Sequence, residues 1–443
     1  MVATKKVKIE TFGCQMNKSD SEKIVGLLST IGYESTEFSE DADLIVINTC
    51  SIRENAVNRL VGHLGAFKKL KEFNPELIIA VGGCVPQHEK ENIRKKAKHV
   101  DIVFGSQNFN EIHTMVEKFE KRRQPIVSIV KQSKIYDNEM PVTRDGKFNA
   151  WITIMNGCSR YCTYCIVPYV RGHEVSRPVD SIIREVETAA IEGYKEITLL
   201  GQIIDLYGRD LKPRTSLDEL LYKVSAVKGI ERIRFLTSHP KYMTKSIVDA
   251  VAELPNLCEY FHLPLQAGND EMLKAMNRHN NLEEYDELVN YIRLKVPNAV
   301  LTTDFIVGFP GETEEQFLDT VNTCIKYEFD GANTAAFSPR PGTPAATMEG
   351  QLPEEEKNKR LNHLNRVLNE ISKKKNIEAI GRVESVLVEG FNEKKGNYFG
   401  RTRGNKNIHF NGDDSLIGQI VDVKVTDATS SSLRGDVLTK VEA

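Results

Sequence analysis

The chain has 443 residues, 40% of them hydrophobic and 27% charged, with a formal net charge of −3. That composition suits an ordinary globular protein of two or three domains, and no run of about 18 uninterrupted apolar residues offers a membrane span. The overall charge does not announce a nucleic-acid binder, although phosphate binding needs only a positive face.

Residues 1–125 read as alternating strands and helices. Val7–Phe12 alternates as a short strand. Ser19 is expected to cap a helix with Ile24, Leu27, Leu28 and Ile31 on one face, stopped by Gly32. Leu44–Ile47 and Leu77–Val81 are continuous apolar strands, and Ile102–Phe104 is a fourth. Strands separated by helical patterns predict a doubly wound parallel sheet. Residues 126–147, with Lys131, Lys134, Asp137, Asn138, Arg144 and Asp145, are polar and weakly periodic and are expected to form a linker.

Over residues 148–377 the β/α alternation restarts. Candidate strands are Trp151–Met155, Ile197–Leu200, Ile233–Leu236, Tyr260–Leu265, Val300–Val307 and Ala332–Phe337. Six such units predict a partial (β/α)6 barrel, whose site would lie at the carboxyl ends of the strands. Gln202, Ser238, His239, Gln266 and Gly308 stand there. A helical connector follows, with Leu361, Leu364, Leu368 and Ile371 on one face. Residues 378–443 then change to short alternating strands between glycine turns, which predicts a small all-β barrel.

Cys158-Ser-Arg-Tyr-Cys162-Thr-Tyr-Cys165 is a C-x3-C-x2-C run directly after the first barrel strand. Thiolates are the usual ligands of iron–sulfur clusters. Three of them leave the fourth iron of a [4Fe–4S] cube open to a small molecule, as an open position does at a catalytic zinc. Cys14, Cys50 and Cys84 look unrelated by spacing, yet each follows an apolar strand. In a parallel sheet they would meet at one edge, where open α/β folds bind ligands, and three thiolates would again hold a cube with one open iron. The alternative is three interior free cysteines. Cys258 has no partner cysteine nearby, and Cys324 sits in a helical run and is expected to pack in the core. The N-terminal Met-Val-Ala-Thr-Lys-Lys-Val enters a strand-like run rather than a signal peptide. A cytoplasmic location is expected, where eight cysteines serve as metal ligands or buried thiols rather than disulfides.

The cysteine layout and the stretch Cys165-Ile-Val-Pro-Tyr-Val-Arg-Gly-His-Glu-Val-Ser-Arg177 resemble the methylthiotransferase family of radical S-adenosylmethionine (SAM) enzymes. The resemblance spans the chain: a methylthiotransferase N-terminal domain, a radical SAM core, and a TRAM domain, which is a small RNA-binding barrel. Phe337-Ser-Pro-Arg-Pro-Gly-Thr-Pro-Ala-Ala346 and the wording of the cysteine loop are most similar to the branch acting on N6-isopentenyladenosine beside the tRNA anticodon. Relatives that modify threonylcarbamoyladenosine in tRNA, or an aspartate of a ribosomal protein, share both cysteine sets. That branch usually has asparagine where Ile203 follows Gly201-Gln202 here, which puts a polar contact in doubt, though Gln202 and Asp205 remain.

The resemblance implies two [4Fe–4S] clusters and two SAM molecules per turnover. Breaking an aromatic C–H bond is cofactor chemistry. The cluster on Cys158, Cys162 and Cys165 would cleave SAM to a 5′-deoxyadenosyl radical. The cluster on Cys14, Cys50 and Cys84 would deliver sulfur, and a second SAM would methylate it. Tyr164 is placed to pack on adenine, or is an exposed loop aromatic. Arg171, Glu174, Ser176 and Arg177 can bind the zwitterionic methionine end, or form a surface charge cluster at the helix beginning near Pro178. Ser238, His239 and Gln266 can reach ribose, although a histidine such as His239 is more often structural; Gln202 is a further cofactor-binding candidate; Gly308-Phe-Pro-Gly-Glu312 resembles a stretch that accommodates adenine. Arg340, Lys394, Arg401 and Arg403, with Lys395, Lys406, Tyr398 and Phe399, are candidates for the tRNA anticodon stem-loop; the alternative is a solvated face. The expected partners are that RNA, a reducing electron donor and a sulfur donor, with no membrane and a monomeric chain.

Overall fold

The computed structural model describes residues 4–50, 54–131 and 140–438. The N-terminal unit runs β1 (Lys5–Phe12), α1 (Gln15–Ser29), β2 (Tyr33–Ser35), β3 (Leu44–Thr49), α2 (Glu54–Phe73), β4 (Ile78–Gly83), α3 (Cys84–Glu89), α4 (Asn92–Lys96), β5 (Ile102–Phe104), α5 (Ile112–Arg122) and β6 (Ile126–Ser128). The strands form one six-stranded sheet in the order β2-β1-β3-β4-β5-β6, and every pairing is parallel. Strands β3 and β4 are buried along their whole length. That is why they read as unbroken apolar runs: both faces of a parallel sheet are covered. Ile24, Leu28, Val116 and Phe119 cover one face, and Leu60, Leu64 and Phe67 the other.

Two expectations need correction. Ser19 does not cap α1, which begins directly after Cys14. Ser19 is instead buried within the helix, its Oγ 3.0 Å from Thr153 Oγ1 of the barrel. The start of the expected linker is the sixth strand of the sheet, β6, paired with β5. Lys134, Asp137 and Asn138 lie outside the described residues. Past them, Arg144 is enclosed between Glu22 of α1 and Glu185 of the barrel.

The second unit runs β7 (Asn149–Thr153), β8 (Met155–Asn156), α6 (Val167–Arg171), β9 (Val175–Ser176), α7 (Val179–Ile191), β10 (Glu196–Leu200), α8 (Leu217–Ser225), β11 (Arg232–Phe235), α9 (Lys245–Glu253), β12 (Tyr260–His262), α10 (Asp270–Ala275), α11 (Leu282–Lys295), β13 (Val300–Val307), α12 (Glu314–Tyr327), β14 (Gly331–Ala336) and α13 (Glu354–Ile377). Its parallel strands lie in the orders β11-β10-β7 and β12-β13-β14. A bridge between Ile233 and Leu257 links the two halves. This is the expected partial barrel. Ala150, Ile152, Ile197, Leu199, Ile233, Phe261, Leu301 and Phe305 pack outward under the helices, so the alternate residues of each strand face the lumen.

The third unit is a closed barrel of β15 (Val383–Asn392), β16 (Asn397–Thr402), β17 (Asn407–Asn411), β18 (Ile420–Ala428) and β19 (Leu433–Val437), in the order β15-β16-β17-β19-β18. Val386, Val388, Ile408, Phe410, Val423 and Leu433 fill it. Closure leaves no free sheet edge. Among the described residues no helix is long and apolar enough to cross a membrane.

Candidate active site

The first cysteine set forms because three neighbouring strands end in the same direction. Cys14 follows β1, Cys50 follows β3 and Cys84 opens α3 after β4; the Cys50 N–H donates to the Phe12 carbonyl at 2.8 Å. Gly83 makes the last turn with φ of 100°, and a β-carbon there would lie 2.3 Å from the Thr49 carbonyl oxygen. Only glycine fits. Cys14 is held down to about 6 by a hydrogen bond from Cys50, against the effect of burial, with Arg171 assisting. Burial raises Cys84, with Arg171 opposing it. The three thiols therefore share one pocket.

The second set sits on the loop between β8 and α6. Gly157 precedes it with φ of 86°, and a β-carbon would meet the His173 carbonyl at 1.9 Å. The Gly157 N–H donates to Gln202 Oε1, and Glu174 accepts from the Ser159 N–H at 2.8 Å and from its hydroxyl. Gln202 and Glu174 thus shape the cysteine loop. Burial pushes Cys158 up to about 11 and Cys165 up to about 12. Arg160 near Cys158 and Arg278 near Cys165 oppose that rise without overcoming burial, whereas a bound metal ionises a coordinating thiol outright. Among the described residues no three Cys, His, Asp or Glu side chains close around a single ion. Two thiol triads suit cubes, which give each thiolate its own iron.

The two triads adjoin. Cys84 packs in one apolar cluster with Ile166 and Val170 of the cysteine loop and α6. Arg171, at the end of α6, pairs with Asp20 of α1 at 2.8 Å and donates to Asn156, and it also bonds Cys84. His88 of α3 lies 3.1 Å from the Pro341 carbonyl, so the loop carrying Arg340 closes over the same corner.

Several expected cofactor contacts have other duties. Arg171 is buried beside Cys84 and Cys14 rather than on the surface. Arg177 is enclosed: it donates to the Thr153 carbonyl at 2.7 Å, to Ser181 at 2.9 Å and to Glu185 at 2.5 Å. It ties the first strand to α7, which leaves no charge to offer a methionine. Ser176 accepts from the Gly208 N–H at 2.9 Å and is likewise structural. Tyr164 is partly buried against the barrel core, not an exposed loop aromatic. Its hydroxyl is raised by burial, with Arg278 opposing.

Ser238, Gln266 and Gly308 do stand at the strand ends. Ser238 and His239 flank Asp205, which accepts from the His239 N–H at 2.6 Å and is raised to about 7 by burial despite that bond. His239 is held neutral, down to about 2, by burial and by Arg278. Asp205 Oδ1 and His239 Nε2 are buried without a hydrogen-bond partner among the described residues, and native proteins seldom leave such atoms unmet without a ligand or water. Gln266 has φ of 81° and lies beside Phe305. The Gly308 N–H donates to Glu312 at 2.7 Å. Arg278 was not legible in the sequence. Its guanidinium donates to the Pro264 carbonyl at 2.6 Å and lies 3.8 Å from Cys162 Sγ. Nothing in its local pattern distinguishes it from a helix-end cation.

The basic residues of the third unit divide. Lys394 and Lys395 are exposed in the β15–β16 turn beside half-exposed Phe391. Arg403 instead grips Glu259 through three hydrogen bonds, at 2.7, 2.8 and 3.1 Å, and Lys406 pairs with Asp330 at 2.8 Å. Both dock the small barrel on the larger one, which withdraws them from the expected RNA face. Arg232 and Arg234 complete that joint by donating to the carbonyls of Arg401, Arg403 and Thr402. Arg401 pairs with Glu389 at 3.2 Å. It faces a cavity of about 510 Å³ bounded by Cys14, the barrel lumen and the small barrel.

Residues 6–105 match the model of Uncharacterized protein family UPF0004, residues 152–324 that of the Radical SAM superfamily, and residues 378–438 that of the TRAM domain. The fold resembles a radical S-adenosylmethionine methyltransferase, TsrM, from Kitasatospora setae, with a TM-score of 0.57, 13% identity, and 77% of this chain and 75% of that one covered. It also resembles the cobalamin-dependent S-adenosylmethionine radical enzyme OxsB, with a TM-score of 0.55, 12% identity, and 82% and 56% covered. Among curated relatives, the tRNA-2-methylthio-N(6)-dimethylallyladenosine synthase of Clostridium botulinum is 47% identical, over 97% of this chain and 96% of the relative. That of Thermoanaerobacter pseudethanolicus is 44% identical, over 97% and 92%. Likeness of that extent, on a chain that carries both cysteine sets, means that this protein belongs to the family of tRNA-2-methylthio-N(6)-dimethylallyladenosine synthases.

Proposed function

We propose that the chain converts N6-isopentenyladenosine next to the tRNA anticodon to its 2-methylthio derivative, using two [4Fe–4S] clusters and SAM. The observation that carries this reading is the closeness of the two cysteine-bearing segments: Cys84 packs on Ile166, next to Cys165, and on Val170 of α6. Cys158, Cys162 and Cys165 would hold one cluster, and Cys14, Cys50 and Cys84 the other. Such clusters, once bound, supply one-electron and sulfur chemistry that side chains cannot. The protein's own groups do the rest. Glu174 and Gln202 hold the cysteine loop in shape, Arg278 places a positive charge beside Cys162, and Arg171 links the two sites. Asp205, Ser238, His239 and Gln266 offer polar atoms to SAM at the strand ends. The Lys394–Lys395 turn, Arg401 and Arg340 would meet the anticodon stem-loop, and the chain would act as a monomer in the cytoplasm with external electron and sulfur donors.

Mass spectrometry of tRNA nucleosides from cells lacking the protein tests the reading. Loss of the 2-methylthio mark with accumulation of isopentenyladenosine is expected. An unchanged mark there, with loss instead of the methylthio group on threonylcarbamoyladenosine or on a ribosomal-protein aspartate, would overturn it.

A further inference from the structure

We propose that the cavity of about 510 Å³ between the three units takes the N6-alkylated purine base, with the indole of Trp151 as its stacking platform. The assignment rests on the tRNA reading above. The volume lies within the roughly 300–1,000 Å³ of small-molecule sites.

Trp151 is the only tryptophan in the chain. Its neighbours Ala150 and Ile152 are fully buried under the helices, so strand alternation turns the indole into the lumen. The parallel register sets Trp151 beside Thr198, and Thr198 beside Arg234, in one row across three strands. Thr198 exchanges hydrogen bonds with Asn149, at 3.1 and 3.2 Å, and Arg234 is held by Glu196 at 3.0 Å. A flat aromatic face therefore stands next to a fixed hydroxyl and amide. That pairing suits a splayed-out base, which is read by stacking and by hydrogen bonds to its edge.

Part of the remaining wall suits an alkyl substituent, between charged stretches from Lys18, Lys147, Glu196 and Glu389. Leu236 from the lumen and Leu387 from the small barrel line the cavity, an apolar surface that unmodified adenine would leave uncovered. Gly13 and Cys14 line it on the side of the first triad. The small barrel is thus a wall of the reaction chamber as well as an RNA anchor, because Leu387, Glu389 and Arg401 face the same space.

The intrinsic fluorescence of the reconstituted, SAM-bound protein reports on this one indole. Anticodon stem-loop RNAs carrying adenosine or N6-dimethylallyladenosine at the target position would be titrated, with total RNA binding followed separately by filter retention. The alkylated RNA should quench the emission, and the plain RNA should need at least tenfold more. Trp151→Ala should raise KM for the alkylated RNA at least tenfold and lower the ratio of methylthio product to 5′-deoxyadenosine, and Trp151→Phe should restore both. RNA bound with unchanged emission, or a Trp151→Ala variant with the parent KM, would overturn the assignment. If Trp151→Ala does not fold, the quench and Trp151→Phe decide. Quenching without any methylthio product would refute the enzymatic reading and leave the cavity assignment standing. Product without quenching would do the reverse.

Discussion

Glu185→Gln should loosen the joint that holds the two cysteine sets together. Glu185 of α7 accepts from Arg177 at 2.5 Å and from Arg144 at 3.2 Å, and Arg144 also reaches Glu22 of α1 at 3.7 Å. Burial alone would raise its carboxyl, but Arg177, Lys23 and Arg144 outweigh it and hold it from 4.5 down to about 2. At about 1.4 kcal/mol per pH unit, that displacement corresponds to about 3 kcal/mol of stabilisation. Some returns on substitution, because Glu22, raised to about 7 by burial, also feels repulsion from Glu185. The net loss expected near pH 8 is about 2–3 kcal/mol, at or just below the roughly 3–5 kcal/mol for breaking a buried pair. Because the folded value is depressed, the stabilisation is full above the unfolded value of 4.5 and is lost as the pH falls toward 2. Urea unfolding followed by circular dichroism at pH 8 and near pH 3 should show the gap between parent and variant shrinking by half or more in acid. A variant within about 0.5 kcal/mol of the parent at pH 8, or a gap independent of pH, would refute this reading of the joint.

Replacing Cys158, Cys162 and Cys165 by Ala should leave one cluster, measured as iron and sulfide per chain; loss of both would count against separate sites. Cys84→Ala should still cleave SAM reductively but form no methylthio product, and full product formation would eliminate its sulfur-delivery role. Gly157→Ala, forced against the His173 carbonyl, should halve the iron content by removing the cluster of the second triad, and Gly83→Ala should remove the other. Electron paramagnetic resonance separates the two cases. Arg403→Ala leaves Glu259 and the Leu257 carbonyl unpaired at the barrel joint. Limited proteolysis should then release the small barrel several-fold faster, with SAM cleavage preserved.

Local pattern carried much of the architecture. Apolar runs at β3 and β4 and alternation in the small barrel identified strands because burial on two faces or one dictates those periods. The short strands β2 and β6 gave no such signal: three residues do not make a period, and beyond Tyr33 of β2 their side chains are exposed or half-exposed. Ser19 looked like a helix cap because its chemistry suits one, yet a cysteine occupies that position and the serine contacts another domain.

The cysteines were legible by themselves, since thiol chemistry and strand-end position are local properties. What each cation does was not. Arg171, Arg177, Arg278 and Arg403 are alike in sequence, but one bridges the triads, one braces α7, one lies beside Cys162 and one docks a domain. A long charged side chain takes its role from whichever acid or carbonyl folding brings within about 3 Å. Those partners lie up to 151 residues away in the chain, as Asp20 does from Arg171. Residue type and spacing decided which atoms could bind metal; only the packing of three units decided what surrounds them.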